Sequence, residues 1–453
     1  MTSGPHKFAN PPVGARARYN ARSHAALSRA LNLVPAYRSW RALDPGPQVS
    51  ADERYAAMPA FTKADLKAAF PAGMTPAERN VEDGLRRGEI SYAPTSGTTS
   101  ERHLNIWHQP WWDASERLSW ELNARLAAAG LGGHREALLA SPLSVGRLDP
   151  EGRLSMDERC DGRILFLNGQ PDPARWTDGD FERMTSELAC FAPKVLEANP
   201  AFLTHWAEWL LKRERKPYRP EAIVMTFEFP SRLARRTIAA AFGVPLVSSY
   251  GTTETGYVFT ECECGNYHQV IESCRVDFQP WQESAGGPQR GRILITPFDN
   301  PWAVFVRFDP GDLVTVAAAP CPCGRRTGLT LSAMEGRGSD LTQACTGRPL
   351  TTNEVDAVLA AEDGLRQYQL TQAASGALLL RCRASCPTTG METALRRALA
   401  GLYGSALPIE IAFVDAIAPE ASGKHRLTIL QQGLNTAALL ETHGERMSKW
   451  REW

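Results

Sequence analysis

Residues 248–268, SSYGTTETGYVFTECECGNYH, place two kinds of chemistry side by side. The first half puts an aromatic ring (Tyr250), a glycine (Gly251), two hydroxyls (Thr252, Thr253) and a carboxylate (Glu254) on one short turn. That grouping looks like a site for a nucleotide and a carboxylate. The second half brings two thiols, Cys262 and Cys264, close to the imidazole of His268, and a second C-x-C pair follows at Cys321 and Cys323. Soft thiolates with imidazole suit a tetrahedral zinc site. Four ligands are needed from these five residues.

Other stretches carry reactive groups. In ISYAPTSGTTSERHLNIWH, residues 90–108, a short strand leads into a hydroxyl-rich loop and a second strand follows. Such a loop can wrap polyphosphate, and it can equally be a polar hairpin turn; it lacks the G-x-x-x-x-G-K spacing of a P-loop. RFDPGDL sets Asp309 and Asp312 in a turn, where Asp and Gly are also routine. MEGRGSDL, residues 334–341, is a Gly-rich break, and SGKHR places Lys424 in a loop near the end.

Composition narrows the classes. A chain of 453 residues calls for two or three domains. Hydrophobic residues at 43% and charged residues at 22% are ordinary for a soluble globular protein. Fifty basic residues balance fifty acidic ones, which argues against nucleic acid or an anionic membrane as partner. The N-terminus has no apolar signal core and no run approaches a membrane span, so a cytoplasmic location is expected. Ten cysteines are too sparse for a disulfide scaffold; Cys160, Cys190, Cys274, Cys345, Cys382 and Cys386 read as space fillers.

The elements that must position these groups follow from periodicity. RSHAALSRALNLV is helical, and MPAFTKADLKAAF reads as a helix entered through Thr62 as N-cap with Asp65 in its first turn. From 111 to 240, helical segments (WWDASERLSWELNARLAAAG, FERMTSELACFAPKVLEA, FLTHWAEWLLKRE) alternate with short apolar runs (EALLAS, RILFLN, EAIVMTF), the pattern of parallel α/β layers. SRLARRTIAAAFG ends at Gly243 as C-cap, and VPLVSSYG delivers Tyr250 to a turn at the carboxyl end of a strand, where ligands gather in open sheets. GRILITPF and AVFVRFDPGDLV read as antiparallel strands of a side sheet or small barrel. Beyond the Gly-rich break come helix TNEVDAVLAAE, paired strands RQYQLTQAASGALLLRCRA, helix METALRRALAGLYG, strand IEIAFVDAI, the loop APEASGKHRL and a terminal helix.

TSGTTS, YGTTE, RFDPGDL, EGRGSD and SGKHR occur in that order, at spacings similar to those of the adenylate-forming acyl and aryl ligase superfamily. CECGNYH, CPCGR and MPAFTKADLKAAF make the chain resemble its phenylacetate–coenzyme A ligase family, over nearly the whole length. The resemblance implies an α/β fold: a large N-terminal α/β domain with parallel sheets and a small side barrel over 1–335, a hinge at 336–340, and a small mobile α+β lid over 341–453. It implies attack of a carboxylate on the α-phosphate of ATP to give an acyl-adenylate and pyrophosphate, then transfer to coenzyme A. Thr95, Ser96, Gly97, Thr98 and Thr99 match the loop for the β- and γ-phosphates. Tyr250, with Gly251 and Thr252, offers a face for adenine; Thr253 matches the donor to the α-phosphate, and Glu254 the Mg2+ ligand. Asp312 matches the acceptor of both ribose hydroxyls, Arg337 touches the same sugar, and Lys424 bridges substrate carboxylate and α-phosphate. For zinc, the resemblance favours Cys262, His268, Cys321 and Cys323, in a closed structural site with Cys264 either spare or replacing one of the four.

The sequence departs from the family pattern at Ser100, at Glu101-Arg102, at Ser339 in the hinge and throughout LTQACTGRPLTTNEV. These departures bear on the second half-reaction, so the acceptor stays open among coenzyme A, an amine, a hydroxyl or a carrier thiol. The expected substrate is an aryl or similarly apolar acid, and the expected assembly includes a homodimer. Two other readings remain: an adenylyltransferase that leaves AMP on a non-carboxylate acceptor, and a zinc-ribbon binding protein.

Overall fold

A computed structural model describes residues 14–94, 104–130, 133–145, 154–167, 169–281, 289–420 and 423–431. Among the described residues the backbone forms a twelve-stranded sheet with helices on both faces, a separate four-stranded sheet after it, and two short two-stranded pairings, Ser91–Pro94 with Leu104–Trp107 and Thr342–Gln343 with Pro349–Leu350. From edge to edge the large sheet runs Cys274–Pro280, Arg290–Pro297, Asp312–Val316, Thr330–Arg337, Tyr267–Gln269, Gly256–Glu261, Leu246–Thr252, Ala222–Met225, Val195–Ala198, Glu136–Leu139, Ile164–Phe166 and Cys160–Asp161. The strand Leu246–Thr252 is the pivot. It pairs in parallel with Ala222–Met225 on one side and antiparallel with Gly256–Glu261 on the other. The small antiparallel unit expected beside the parallel sheet is therefore an extension of that sheet.

The parallel strands are apolar on both faces, as burial on both sides requires. One face, with Ala137, Leu139, Leu196, Ala198, Ile223 and Met225, packs on helices Asp178–Phe191, Pro200–Lys212 and Arg232–Phe242. The other, with Val195, Ala222, Val224 and Val247, packs on Trp120, Leu126 and Ala129 of helices Gln109–Trp120 and Ala124–Gly130, into which the single helical segment expected over 111–130 divides. A second core gathers the N-terminal helices around Trp302, Phe305 and Phe308. Its helix Lys63–Ala69 starts as anticipated, with a capping box between Thr62 and Asp65.

Two expectations are corrected. PKVLEA does not continue its helix but becomes the strand Val195–Ala198, because Ala192 turns left-handed (φ 46°) and Pro193 follows. AVFVRF does not form a strand: Arg307 has φ 50°, which breaks the extended run. Its apolar residues fill the second core instead, and Phe308 keeps only isolated bridges to Phe61 and Ile295.

Residues after Leu341 build their own sheet, in the order Ile409–Phe413, Leu378–Ala384, Leu365–Gln372, Thr428–Leu430, covered by helices Thr352–Leu359 and Thr389–Tyr403. Their core includes Leu359, Tyr368, Leu380, Leu399 and Tyr403. Among the described residues no helix is long and apolar enough to cross a membrane.

Candidate active site and a thiol–imidazole cluster

The carboxyl end of the pivot strand opens into a cavity of about 420 Å3. Residues from distant parts of the chain line it: Tyr250, Gly251, Thr252, Thr253 and Glu254 from the turn, Asp312 and Arg337 from the antiparallel strands, and Lys424 from the C-terminal unit. All eight were singled out from sequence. The loop residues Thr95, Ser96, Gly97, Thr98 and Thr99 lie outside the described residues.

The turn is held from several sides. A Cβ on Gly251 would lie 2.4 Å from the Gly256 carbonyl oxygen, so only glycine lets the two strand ends approach this closely. The Thr252 and Thr255 hydroxyls share a hydrogen bond of 3.0 Å. Asn105 Nδ2 donates to the Thr253 carbonyl at 2.9 Å, tying the strand Leu104–Trp107 to the turn. Glu254 is buried.

Asp312 opens one strand and pairs in register with Arg337 at the end of the next. Tyr250 Oη donates to Asp312 Oδ2 at 2.7 Å, and Arg337 Nε stands 3.6 Å from Asp312 Oδ1. Burial, then the Asp312 charge, holds the Tyr250 phenol well above its ordinary value, so it stays a donor. Each carboxylate oxygen keeps a lone pair that can accept a hydroxyl from a ligand.

Lys424 sits in a tight turn, with Glu420 N–H donating to the Lys424 carbonyl and Gly423 N–H to the Glu420 carbonyl, both at 2.8 Å. Gly423 has φ 80°, and a Cβ there would lie 2.4 Å from Ser141 Oγ, so the turn rests directly on the N-terminal portion. Lys424 itself is only 9% exposed. Burial first, then the neighbouring Arg337, pulls its ammonium down to about 8; Glu228 and Asp312 oppose this, and Lys63 adds to it. The group is still mostly protonated near neutrality, yet close to giving up its proton, and an arriving anion would restore its charge.

Sequence reasoning missed Lys63, Glu228, Met334 and Phe308, which also line the cavity. Lys63 follows the Thr62 cap, and only the MPAFTKADLKAAF phrase hinted at it. Glu228 accepts the His425 N–H at 3.1 Å and follows Phe227, whose left-handed backbone (φ 73°) costs of order 1 kcal/mol or more. Phe227 and Phe229 line the cavity, whereas Trp111 donates to the Phe298 carbonyl and Trp112 packs on Tyr257.

The cysteine motifs form a second constellation. Cys262, His268, Cys321 and Cys323 offer ligand atoms that all lie within 4.8 Å of one another. Cys262 Sγ is 3.6 Å from Cys321 Sγ, and Cys323 Sγ is 3.2 Å from His268 Nε2. Thiolates about 2.3 Å from a tetrahedral zinc would be separated by about 3.8 Å, so the donor set fits that ion. Each C-x-C-G turns through a left-handed glycine, Gly265 (φ 81°) and Gly324 (φ 88°), folding the two thiols back toward one point. Thr330 Oγ1 lies 3.3 Å from His268 Nδ1, fixing the ring, and Asn266 Nδ2 donates to Cys321 Sγ at 3.1 Å. Cys264 is exposed and outside the group, and none of the ten cysteines is in a disulfide.

No family profile matches the chain and no curated protein is similar to it in sequence. Solved structures are similar in fold. A 2-hydroxyisobutyryl-CoA ligase in the postadenylation state, in complex with R3-HIB-AMP, superposes with a TM-score of 0.69 at 18% identity, over 98% of this chain and 99% of that one. That ligase with 2-HIB-AMP and CoA in the thioesterification state gives 0.56 at 18% identity, over 98% of both chains. An anthranilate CoA ligase in complex with anthranoyl-AMP gives 0.50 at 13% identity, over 75% of this chain and 66% of that one. The chain has the fold of the adenylate-forming ligases.

Proposed function

We propose that this protein is an AMP-forming carboxylic acid ligase, which activates an aryl or similarly apolar acid as acyl-AMP and passes the acyl group to coenzyme A, an amine, a hydroxyl or a carrier thiol. One observation carries the reading: a buried lysine from the C-terminal unit meets a threonine–glutamate turn and an aspartate–arginine pair in one cavity. The solved ligases that share the fold are recorded with acyl-AMP or with CoA.

The chemistry follows from the residues. Two anions, a carboxylate and a triphosphate, must approach, and the pentacovalent phosphorus between them gathers further negative charge. The Lys424 ammonium, largely buried and with the Glu228 and Asp312 carboxylates acting on it in the same cavity, suits the space between the acid oxygen and the α-phosphate, where charge accumulates. Thr253 adds a hydroxyl donor from the turn. Asp312, oriented by Tyr250 and Arg337, accepts from the ribose hydroxyls; Thr95, Ser96, Gly97, Thr98 and Thr99, outside the described residues, are assigned to the departing pyrophosphate on their motif alone. Glu254 would hold Mg2+, which supplies charge neutralisation on the phosphates when bound. Phe227, Phe229 and Met334 give the cavity its apolar walls.

We place the hinge at 336–340, between an ATP- and acid-binding domain over 1–335 and a lid over 341–453. Arg426 beside Lys424 bonds the hinge carboxylate Asp340 at 2.6 Å, linking lid position to lysine position. A structural zinc on Cys262, His268, Cys321 and Cys323 would staple the hairpin after Gly256–Glu261 to the loop before Thr330–Arg337. Thiolate ligands of this kind fit the reducing cytoplasm.

Acid-dependent exchange of pyrophosphate into ATP, across aryl, alkyl and amino acids, tests the first step. Product mass spectrometry with and without coenzyme A then identifies the acceptor. Exchange with an apolar acid is expected, and its absence with every acid overturns the reading. A product that retains AMP would point to the adenylyltransferase instead. Metal analysis should find one zinc per chain; a value far below one removes the zinc assignment.

A further inference from the structure

Helix Arg232–Phe242 of the N-terminal portion begins at the boundary with the C-terminal unit, and its free N–H groups are divided between the two. Ser231, its N-cap, accepts from Ala234 N–H at 3.1 Å. The Arg232 N–H donates instead to Asp356 Oδ2 at 2.9 Å, across the boundary. Asp356 belongs to helix Thr352–Leu359 and is fully buried. Its carboxylate also takes the Arg232 guanidinium at 3.1 Å and, on Oδ1, the Tyr368 hydroxyl at 3.1 Å. Arg232 Nη1 reaches on to Asn353 Oδ1 at 3.0 Å.

The next residue extends the same contact. Leu233, although part of the N-terminal helix, is buried in the hydrophobic core of the C-terminal unit with Leu365 and Tyr368. Arg236, one turn on, donates to the Ala360 carbonyl at 3.1 Å. A helix start capped by a carboxylate from another unit, followed by a leucine in that unit's core, fixes both distance and orientation. The positive end of the helix favours the negative charge placed there.

We propose that Asp356 is a positioning residue: by capping helix Arg232–Phe242 from the opposite unit, it holds the C-terminal unit in the placement that inserts Lys424 into the cavity. The connection from one to the other is short and stiff. Tyr368, which bonds Asp356, lies on the strand Leu365–Gln372, and that strand pairs in parallel with Thr428–Leu430, just after the lysine loop. Leu370 N–H donates to the Leu427 carbonyl at 2.8 Å, and Gln369 Nε2 to the Arg426 carbonyl at 3.1 Å. Release of Asp356 would expose a buried carboxylate to water and leave Lys424 free to withdraw. This inference rests on the acid-ligase reading, in which Lys424 serves the first half-reaction.

The test uses full-length protein with Asp356→Asn, Asp356→Ala, Arg232→Ala and Tyr368→Phe, and the acid that gives the fastest pyrophosphate exchange. Asp356→Asn and Asp356→Ala should slow exchange at saturating ATP roughly tenfold or more while KM for ATP stays within about twofold, because the nucleotide-binding groups other than Lys424 sit on the other unit. Arg232→Ala, which leaves the backbone bond to Asp356 in place, should slow it by about threefold. Tyr368→Phe cuts the link from Asp356 to the strand beside the lysine loop but leaves the helix cap in place, so it should slow exchange by about threefold, less than the Asp356 variants do. Hydrogen–deuterium exchange should show residues 231–236 losing protection in Asp356→Asn while the large sheet keeps its own. Unchanged rates and protection in both Asp356 variants overturn the proposal. So does a loss of rate matched by a fall in melting temperature and equally severe in Tyr368→Phe. If the wild type exchanges pyrophosphate with no acid, the ligase reading fails on its own, and protection of residues 231–236 alone decides whether Asp356 holds the units together.

Discussion

The lysine cavity and the thiol–imidazole cluster lie on neighbouring strands of one sheet yet are built on opposite plans. The cluster takes its four ligands from two short knuckles, buries most of them and satisfies them among themselves and with Asn266 and Thr330. The cavity draws on seven distant segments and keeps capacity for a ligand: a largely buried ammonium and a carboxylate with spare lone pairs. One arrangement stabilises what is already folded; the other holds groups in readiness for a charge still to come. The contrast predicts that damage to each will be felt in different measurements.

The largest effect is expected at Lys424. Lys424→Ala should cut pyrophosphate exchange by roughly 10²–10³-fold, the scale for removing one preorganised electrostatic partner, without lowering the melting temperature. A melting temperature that falls with the rate would make the lysine structural and erase the contrast. Cys321→Ser should do the reverse. Zinc content should drop and the melting temperature fall by on the order of 5–10 °C, with all activities lost in proportion to unfolded protein. Loss of rate with full stability would put the cluster in the chemistry instead.

Asp312→Ala comes next. It removes a charge-assisted acceptor of about 1.5–3 kcal/mol, so KM for ATP should rise by about 10–100-fold with a smaller change in kcat. The smallest effect is the pH profile. A lysine pulled down to about 8 is charged, and active, below that value, so kcat/KM for exchange should fall as pH rises through about 8. Stability should move the other way. Unfolded chains keep the lysine proton up to its ordinary value of 10.5, so between about 8 and that value the unfolded state binds more protons and stability rises with pH. A profile flat through this window would show that Lys424 is not the titrating group.

Legibility divides along the same line. The cysteine knuckles, the YGTTE turn and the Thr62–Asp65 capping box were readable because each is encoded within a few residues, as turn chemistry and local donors require. The strand Val195–Ala198 was hidden because one left-handed residue, Ala192, decides where the helix stops. AVFVRF looked like a strand by composition, and the backbone at Arg307 overrules composition. Lys63 and Glu228 reach the cavity through tertiary packing that no local pattern records. Asp356 is the extreme case: in sequence it is one acidic residue on an amphipathic helix, and its role depends on an N–H group 124 positions away.

The contact of Gly423 with Ser141 carries a last consequence. The lysine turn descends onto a floor with no spare volume: a single methyl at 423 would collide with the Ser141 hydroxyl, itself on a residue only 3% exposed. Among natural variants of this chain, bulk should therefore be admitted at one of these positions only where it is surrendered at the other, so the two sites are expected to drift as a pair.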